Sequence, residues 1–129
     1  MNIFDWKKNS DVGINLMNFS KREEYQRSSV SRFYYACFGP LKEYYEESFR
    51  KILSTKDAHK TLILELISSP FIEEQLLGKK LKKLRFQRNM ADYNEKSQDF
   101  EVEKSRRIVE DIFNILNELK DSPLRLVQK

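Results

Sequence analysis

Arg88, Asn89, Asp92 and Tyr93 bring a guanidinium, an amide, a carboxylate and a phenol into one short segment. Residues four apart share a helical face, so Arg88 and Asp92 would lie side by side there. A guanidinium in that setting can grip a phosphate with two parallel hydrogen bonds and stabilise charge developing on it. These four residues are the candidate catalytic group. The same residues admit a structural use, with Arg88 paired to Asp92 and Tyr93 capping a bundle. Leading into them, Lys79, Lys80, Lys82, Lys83, Arg85 and Arg88 occupy six of the ten positions from 79 to 88, and no acidic residue occurs from Gln75 to Ala91. Lys79, Lys80, Lys82, Lys83 and Arg85 are therefore candidate RNA-binding residues, although a charge run of this kind can also be no more than a solvated face.

The remaining chemistry-bearing residues narrow the options. Cys37 is the single cysteine, which excludes an intrachain disulfide, and no Cys/His cluster has metal-ligand spacing, so no metal or other cofactor is expected. Cys37 reads as a small buried apolar residue. The lone His59 falls in the first turn of a short helix, where an exposed imidazole is expected, since no nucleophile with a supporting pattern stands beside it. The formal charge of +4, from 24 basic and 20 acidic residues, suits an anionic partner only weakly. Neither an N-terminal signal-peptide core nor a long apolar run is present, so a soluble, cytoplasmic protein without membrane association is expected.

These residues must be positioned by helices. With 129 residues, few glycines and prolines and no convincing strand pair, the chain reads as one all-α domain over 1–129, an antiparallel bundle of four to five helices. A first helix is expected from about Phe4 to Phe19, with Phe4 and Phe19 among its apolar residues and Trp6 serving either the core or an interface. A second should span about Lys21 to Leu53, since Val30, Phe33, Tyr34, Cys37, Leu41, Tyr45 and Phe49 recur at helical steps. Gly39-Pro40 should kink or break it near Ala36 to Gly39. Its tyrosines read as core residues with hydroxyls at the rim.

Thr55 or Asp57 can cap a third helix containing Leu62, Ile63, Leu66 and Ile67. Ser69 and Pro70 followed by Glu73 and Glu74 signal the start of a fourth, which ends near Asp92 to Asn94. In it, Gly78 is a modest interruption. The fifth should run from about Ser97 or Asp99 to Lys120 on a stripe of Val102, Ile108, Val109, Ile112, Phe113, Leu116 and Leu119. The tail over 121–129 is expected to be mobile.

Two segments carry a family resemblance. Ser31-Arg32-Phe33-Tyr34-Tyr35-Ala36-Cys37-Phe38 resembles the Ser-Arg-x-Tyr-Tyr-Ala-x-Phe helix of HEPN domains, and Arg88-Asn89-Met90-Ala91-Asp92-Tyr93 resembles the arginine motif of the subgroup ending in Ala-Asp-Tyr. HEPN domains are small helical bundles of toxin-antitoxin modules, antiviral systems and companions of minimal nucleotidyltransferases. The resemblance implies a HEPN-like bundle, a homodimer, and contact with RNA or nucleotide. Active members of that family are metal-independent ribonucleases in which an arginine is followed, after four to six residues, by a histidine.

This chain departs from that pattern. Counted from Arg88 the histidine position falls on Tyr93, Asn94 or Glu95, and counted from Arg85 it falls on Met90, Ala91 or Asp92. A tyrosine of pKa near ~10 and an aspartate near ~4 are both poor bases at neutral pH. Gly39 occupies another position where relatives carry histidine. The expectation is a HEPN-like protein of a toxin-antitoxin or phage-defence system that contacts RNA or nucleotide, with weak or absent cleavage. The alternative is a non-catalytic module that docks a nucleotidyltransferase-like antitoxin or other partner, with Tyr93 open to modification by it.

Overall fold

In the computed structural model, which describes residues 5–93, 100–122 and 124, the chain is organised around one long central helix. The order is α1 (Lys8–Phe19), α2 (Glu23–Phe49), α3 (Ala58–Ile67), α4 (Ile72–Tyr93) and α5 (Val102–Asp121). All five are α-helices, and no strand occurs among the described residues. The bundle expected from the helical spacing is the observed architecture.

Helix α2 forms because one face carries Val30, Phe33, Tyr34, Cys37, Leu41 and Tyr45, all buried. It packs against α1, α4 and α5, while α3 lies chiefly on α4. Tyr44 of α2 bonds Glu74 near the start of α4, and Tyr35 of α2 bonds Arg88 near its end, so the two helices run antiparallel. Leu62 and Leu66 from α3, Leu77, Leu81 and Leu84 from α4, and Ile108, Val109, Ile112, Leu116 and Leu119 from α5 complete the core. Cys37 is fully buried within it, and burial pushes its thiol far above the ordinary cysteine value, which keeps it protonated.

Several boundaries differ from the sequence reading. Helix α1 begins at Lys8 because Asp5 Oδ1 accepts from the Lys7 amide at 3.0 Å and the chain turns there. Phe4 lies outside the described residues, and Phe19 is 73% exposed rather than buried. Of the kink or break expected near Ala36 to Gly39, the break does not occur, since helix α2 runs unbroken through Pro40. The ring removes one backbone donor, but buried neighbours on either side, Cys37 and Leu41, hold both halves of the helix in the same core.

Gly39 has a packing reason: a Cβ there would stand 2.0 Å from the Trp6 ring, so the half-buried indole occupies the space a side chain would need. Helix α2 stops at Phe49, short of Leu53, because Arg50 turns left-handed at φ 55°. Asp57 precedes α3 with φ 56° and makes no side-chain cap bond. Ser69 caps a turn ahead of α4, its Oγ accepting from the Phe71 amide at 3.0 Å, which leaves Pro70 outside the helix. Gly78 marks the crossing of α3 and α4, where a Cβ would lie 2.8 Å from the Ile67 amide nitrogen. Ser97 and Asp99 lie outside the described residues, and Glu101 precedes α5. Of the tail, Asp121 closes α5 and Leu124 packs against the core; Pro123 and residues 125–129 lie outside the described residues.

Candidate functional site

The last two turns of α4 lie against the middle of α2 and the start of α3, and this junction holds the candidate site. Its centre is Arg88, whose side chain is only 13% exposed. Nε donates to Asp92 Oδ2 at 3.1 Å, while Nη2 donates to the Tyr35 hydroxyl at 2.9 Å and the Tyr93 hydroxyl at 3.0 Å. The guanidinium carbon also lies 5.5, 5.2 and 5.3 Å from the ring centres of Tyr34, Tyr35 and Tyr93, within cation–π range. Asp92 accepts a second, longer bond from Ser31 Oγ at 3.3 Å. Helix spacing sets the Arg88–Asp92 pair, and the side-by-side tyrosines of α2 set the aromatic wall.

The end of α4 is fixed by another arginine. Arg27 of α2 donates from Nη1 to the carbonyl oxygens of Met90 and Ala91, at 3.1 and 2.7 Å, and lies over the Phe100 ring. A cation at a helix C-terminus satisfies carbonyls that have no partner within the helix and meets the negative end of its dipole. Asp92 and Tyr93 follow directly, so Arg27 holds the turn from which they project.

His59 corrects the sequence reading most sharply. It does lie in the first turn of α3, but it is half-buried, stacked on Phe38 with ring centres 4.1 Å apart, and its Nδ1 is 2.6 Å from the Tyr34 hydroxyl. Burial, with the charges of Arg85 and Arg88 nearby, lowers its pKa below the usual imidazole value. The ring is therefore neutral at pH 7. Burial raises the Tyr34 phenol well above its ordinary range against the opposing pull of the same two arginines, so Tyr34 stays protonated. A neutral imidazole and a protonated phenol thus share one hydrogen bond beneath two cations.

Of the sequence-derived candidates, the fold brings Arg88, Asp92 and Tyr93 together. Asn89, though adjacent in sequence, faces a separate groove between α3 and α4. The basic run divides as well. Lys80 pairs with Asp111 of α5 at 3.0 Å, and Lys79 and Lys83 are exposed outside the groove. Lys82 and Arg85 line the groove, and Arg85 Nε is buried with no hydrogen-bond partner. Tyr34, Tyr35 and His59 are the residues that sequence reasoning missed. Tyr34 and Tyr35 stand in the segment over 31–38 and were read as core tyrosines with hydroxyls at the rim, but nothing in the linear spacing tied His59 to Arg88.

Among the described residues, no group of three or more His, Cys, Asp or Glu side chains could hold a metal ion, and no helix is long and apolar enough to cross a membrane. No family model, curated protein or solved structure matches the chain.

Proposed function

We propose that this protein is a HEPN-like member of a toxin-antitoxin or phage-defence system that contacts RNA or nucleotide phosphate through Arg88, with metal-independent cleavage weak or absent. The observation that carries this reading is the state of the Arg88 guanidinium. Its Nε and Nη2 are fixed by Asp92, Tyr35 and Tyr93, whereas none of the hydrogen bonds among the described residues uses Nη1. A guanidinium presents five donors in a rigid fork, so the protein's own groups orient the fork and leave part of it for a ligand. Tyr93 is 70% exposed, and an incoming phosphate oxygen can displace its hydroxyl without disturbing the half-buried Tyr35.

The motif segment carries no histidine, and the chain's single imidazole reaches the neighbourhood from α3 instead, coupled to Tyr34. That substitution changes the geometry in which a proton could be moved, which is why efficient transesterification is not assigned to it. The test is incubation of the purified protein with labelled RNA in chelator, beside Arg88→Ala and His59→Ala. Salt-sensitive binding lost in Arg88→Ala, with little cleavage by any form, is the expected result. Rapid cleavage abolished by either substitution would replace it with an enzyme.

A second reading has its own observation. The exposed Tyr93 hydroxyl rests on a guanidinium at the protein surface, a position open to covalent modification by a nucleotidyltransferase-like partner. Homodimerisation belongs to the same proposal, and sedimentation of the purified chain tests it.

A further inference from the structure

The face of α4 next to the Arg88 cluster is built differently from it. Lys82, Arg85, Phe86 and Asn89 fall at steps of three, four and seven residues and form one stripe. Across from them α3 presents Lys60, Ile63, Leu64 and Ile67 at the same steps. The two stripes enclose a groove of about 350 Å³. Its described lining contains three cations and an amide but no carboxylate. Phe86 is 59% exposed and Leu64 is 52% exposed, so a large aromatic ring lies open to solvent between positive charges.

We propose that this groove is a binding subsite for single-stranded RNA, in which one base stacks on Phe86 while Lys60, Lys82 and Arg85 hold the flanking phosphates. The inference rests on the reading of Arg88 as a phosphate contact and extends it to a path for the strand. Arg85 joins the two regions: it lines the groove, and its charge reaches His59 and Tyr34 in the cluster. Its buried Nε makes no hydrogen bond. That nitrogen is closed to solvent, so a polyanion in the groove meets Arg85 through its charge and not through Nε.

Charge decides between the available occupants. Packing two copies of this face together about a two-fold axis would gather six cations, three from each copy, with no described carboxylate between them. A nucleic acid strand matches that charge and also offers a flat π-face to Phe86, and base stacking on an aromatic side chain tolerates any base. Asn89 contributes an amide that can both donate to and accept from a base edge.

The experiment is fluorescence anisotropy with a labelled single-stranded oligouridylate of about 12 nucleotides in chelator, titrated over salt from about 50 to about 200 mM. Phe86→Ala should weaken binding on the order of tenfold, and Phe86→Tyr should restore it. Lys82→Gln should reduce the slope of log affinity against log salt by about 0.7. Phe86 is exposed, so these variants keep the fold, which circular dichroism verifies. If Phe86→Ala binds as tightly as the parent chain while Arg88→Ala does not bind, the groove is not the path and the Arg88 reading stands. Absence of binding by the parent chain overturns both. Loss of self-association in Phe86→Ala with unchanged RNA affinity would make the face a contact between copies and would also overturn the inference.

Discussion

Helix α4 carries one charged residue near each end that is held by a tyrosine of α2, and the two ends have opposite fates. At the start, Glu74 is fully buried, accepts from Ser69 Oγ at 2.6 Å and bonds the Tyr44 hydroxyl. At the other end, Arg88 bonds Tyr35 but also reaches the exposed Tyr93, and it borders a second arginine and an imidazole. A buried carboxylate wrapped by hydroxyls fixes the packing of α2, α4 and the preceding turn, because removing any partner strands the others away from water. A guanidinium oriented by the fold yet open on one side can still exchange a partner. Burial and exchangeability, not the type of charge, separate a structural polar cluster from a candidate site.

The largest expected effect breaks the structural end. Glu74→Ala should cost about 3 kcal/mol of stability in urea denaturation, since it leaves a cavity and unpaired hydroxyls, while oligonucleotide affinity of the folded fraction stays unchanged. Arg88→Ala should show the reverse balance: about 1–2 kcal/mol of stability, but at least tenfold weaker RNA binding. Arg88→Lys sharpens the point, because it retains the charge and loses the fork; affinity should still fall if orientation matters. Equal behaviour of the Glu74 and Arg88 variants in both assays would erase the distinction between the two ends.

A smaller effect is expected at the α4 terminus. Arg27→Ala should cost about 1 kcal/mol by exposing the Met90 and Ala91 carbonyls, with RNA affinity reduced through the loosened Asp92–Tyr93 turn. The smallest is a pH effect. The folded-state pKa of His59 is depressed, so below the unfolded value near ~6.5 the unfolded chain takes up the proton first. The stability this imidazole contributes is full above that pH and is lost as pH falls through the folded value. Thermal midpoints of the parent chain should therefore drop more between about pH 7.5 and about pH 5.5 than those of His59→Gln. Parallel profiles would place His59 outside the shielded pair with Tyr34.

Much of the fold could be read along the chain because its information is periodic. Of the α5 stripe, Ile108, Val109, Ile112, Leu116 and Leu119 are buried as their spacing implied, while Val102 and Phe113 are only partly buried at its edge. Boundaries were harder wherever the backbone, not the side-chain pattern, ended a helix: Arg50 turns left-handed, and no propensity scale singles it out. At Pro40 the helix continues without the break that was one of the two expected outcomes, since tertiary packing on both sides outweighs a local penalty. The Arg88–Asp92 pair was accessible because a helix places residues four apart together. Arg88's bond to Tyr35 was not, and neither was the division of the basic run into a lysine paired with α5, exposed lysines and a groove.

By itself the sequence determined that this chain is a helical bundle and that its fourth helix ends in a guanidinium beside a carboxylate, because both follow from short-range spacing on one helix. Only the tertiary structure decided which groups face that guanidinium. His59 comes from 29 positions upstream, on another helix, and its ring meets Tyr34 and Phe38 of α2. Contacts between helices depend on crossing geometry and on which side chains fill the space between them, and no spacing along a single helix carries that information.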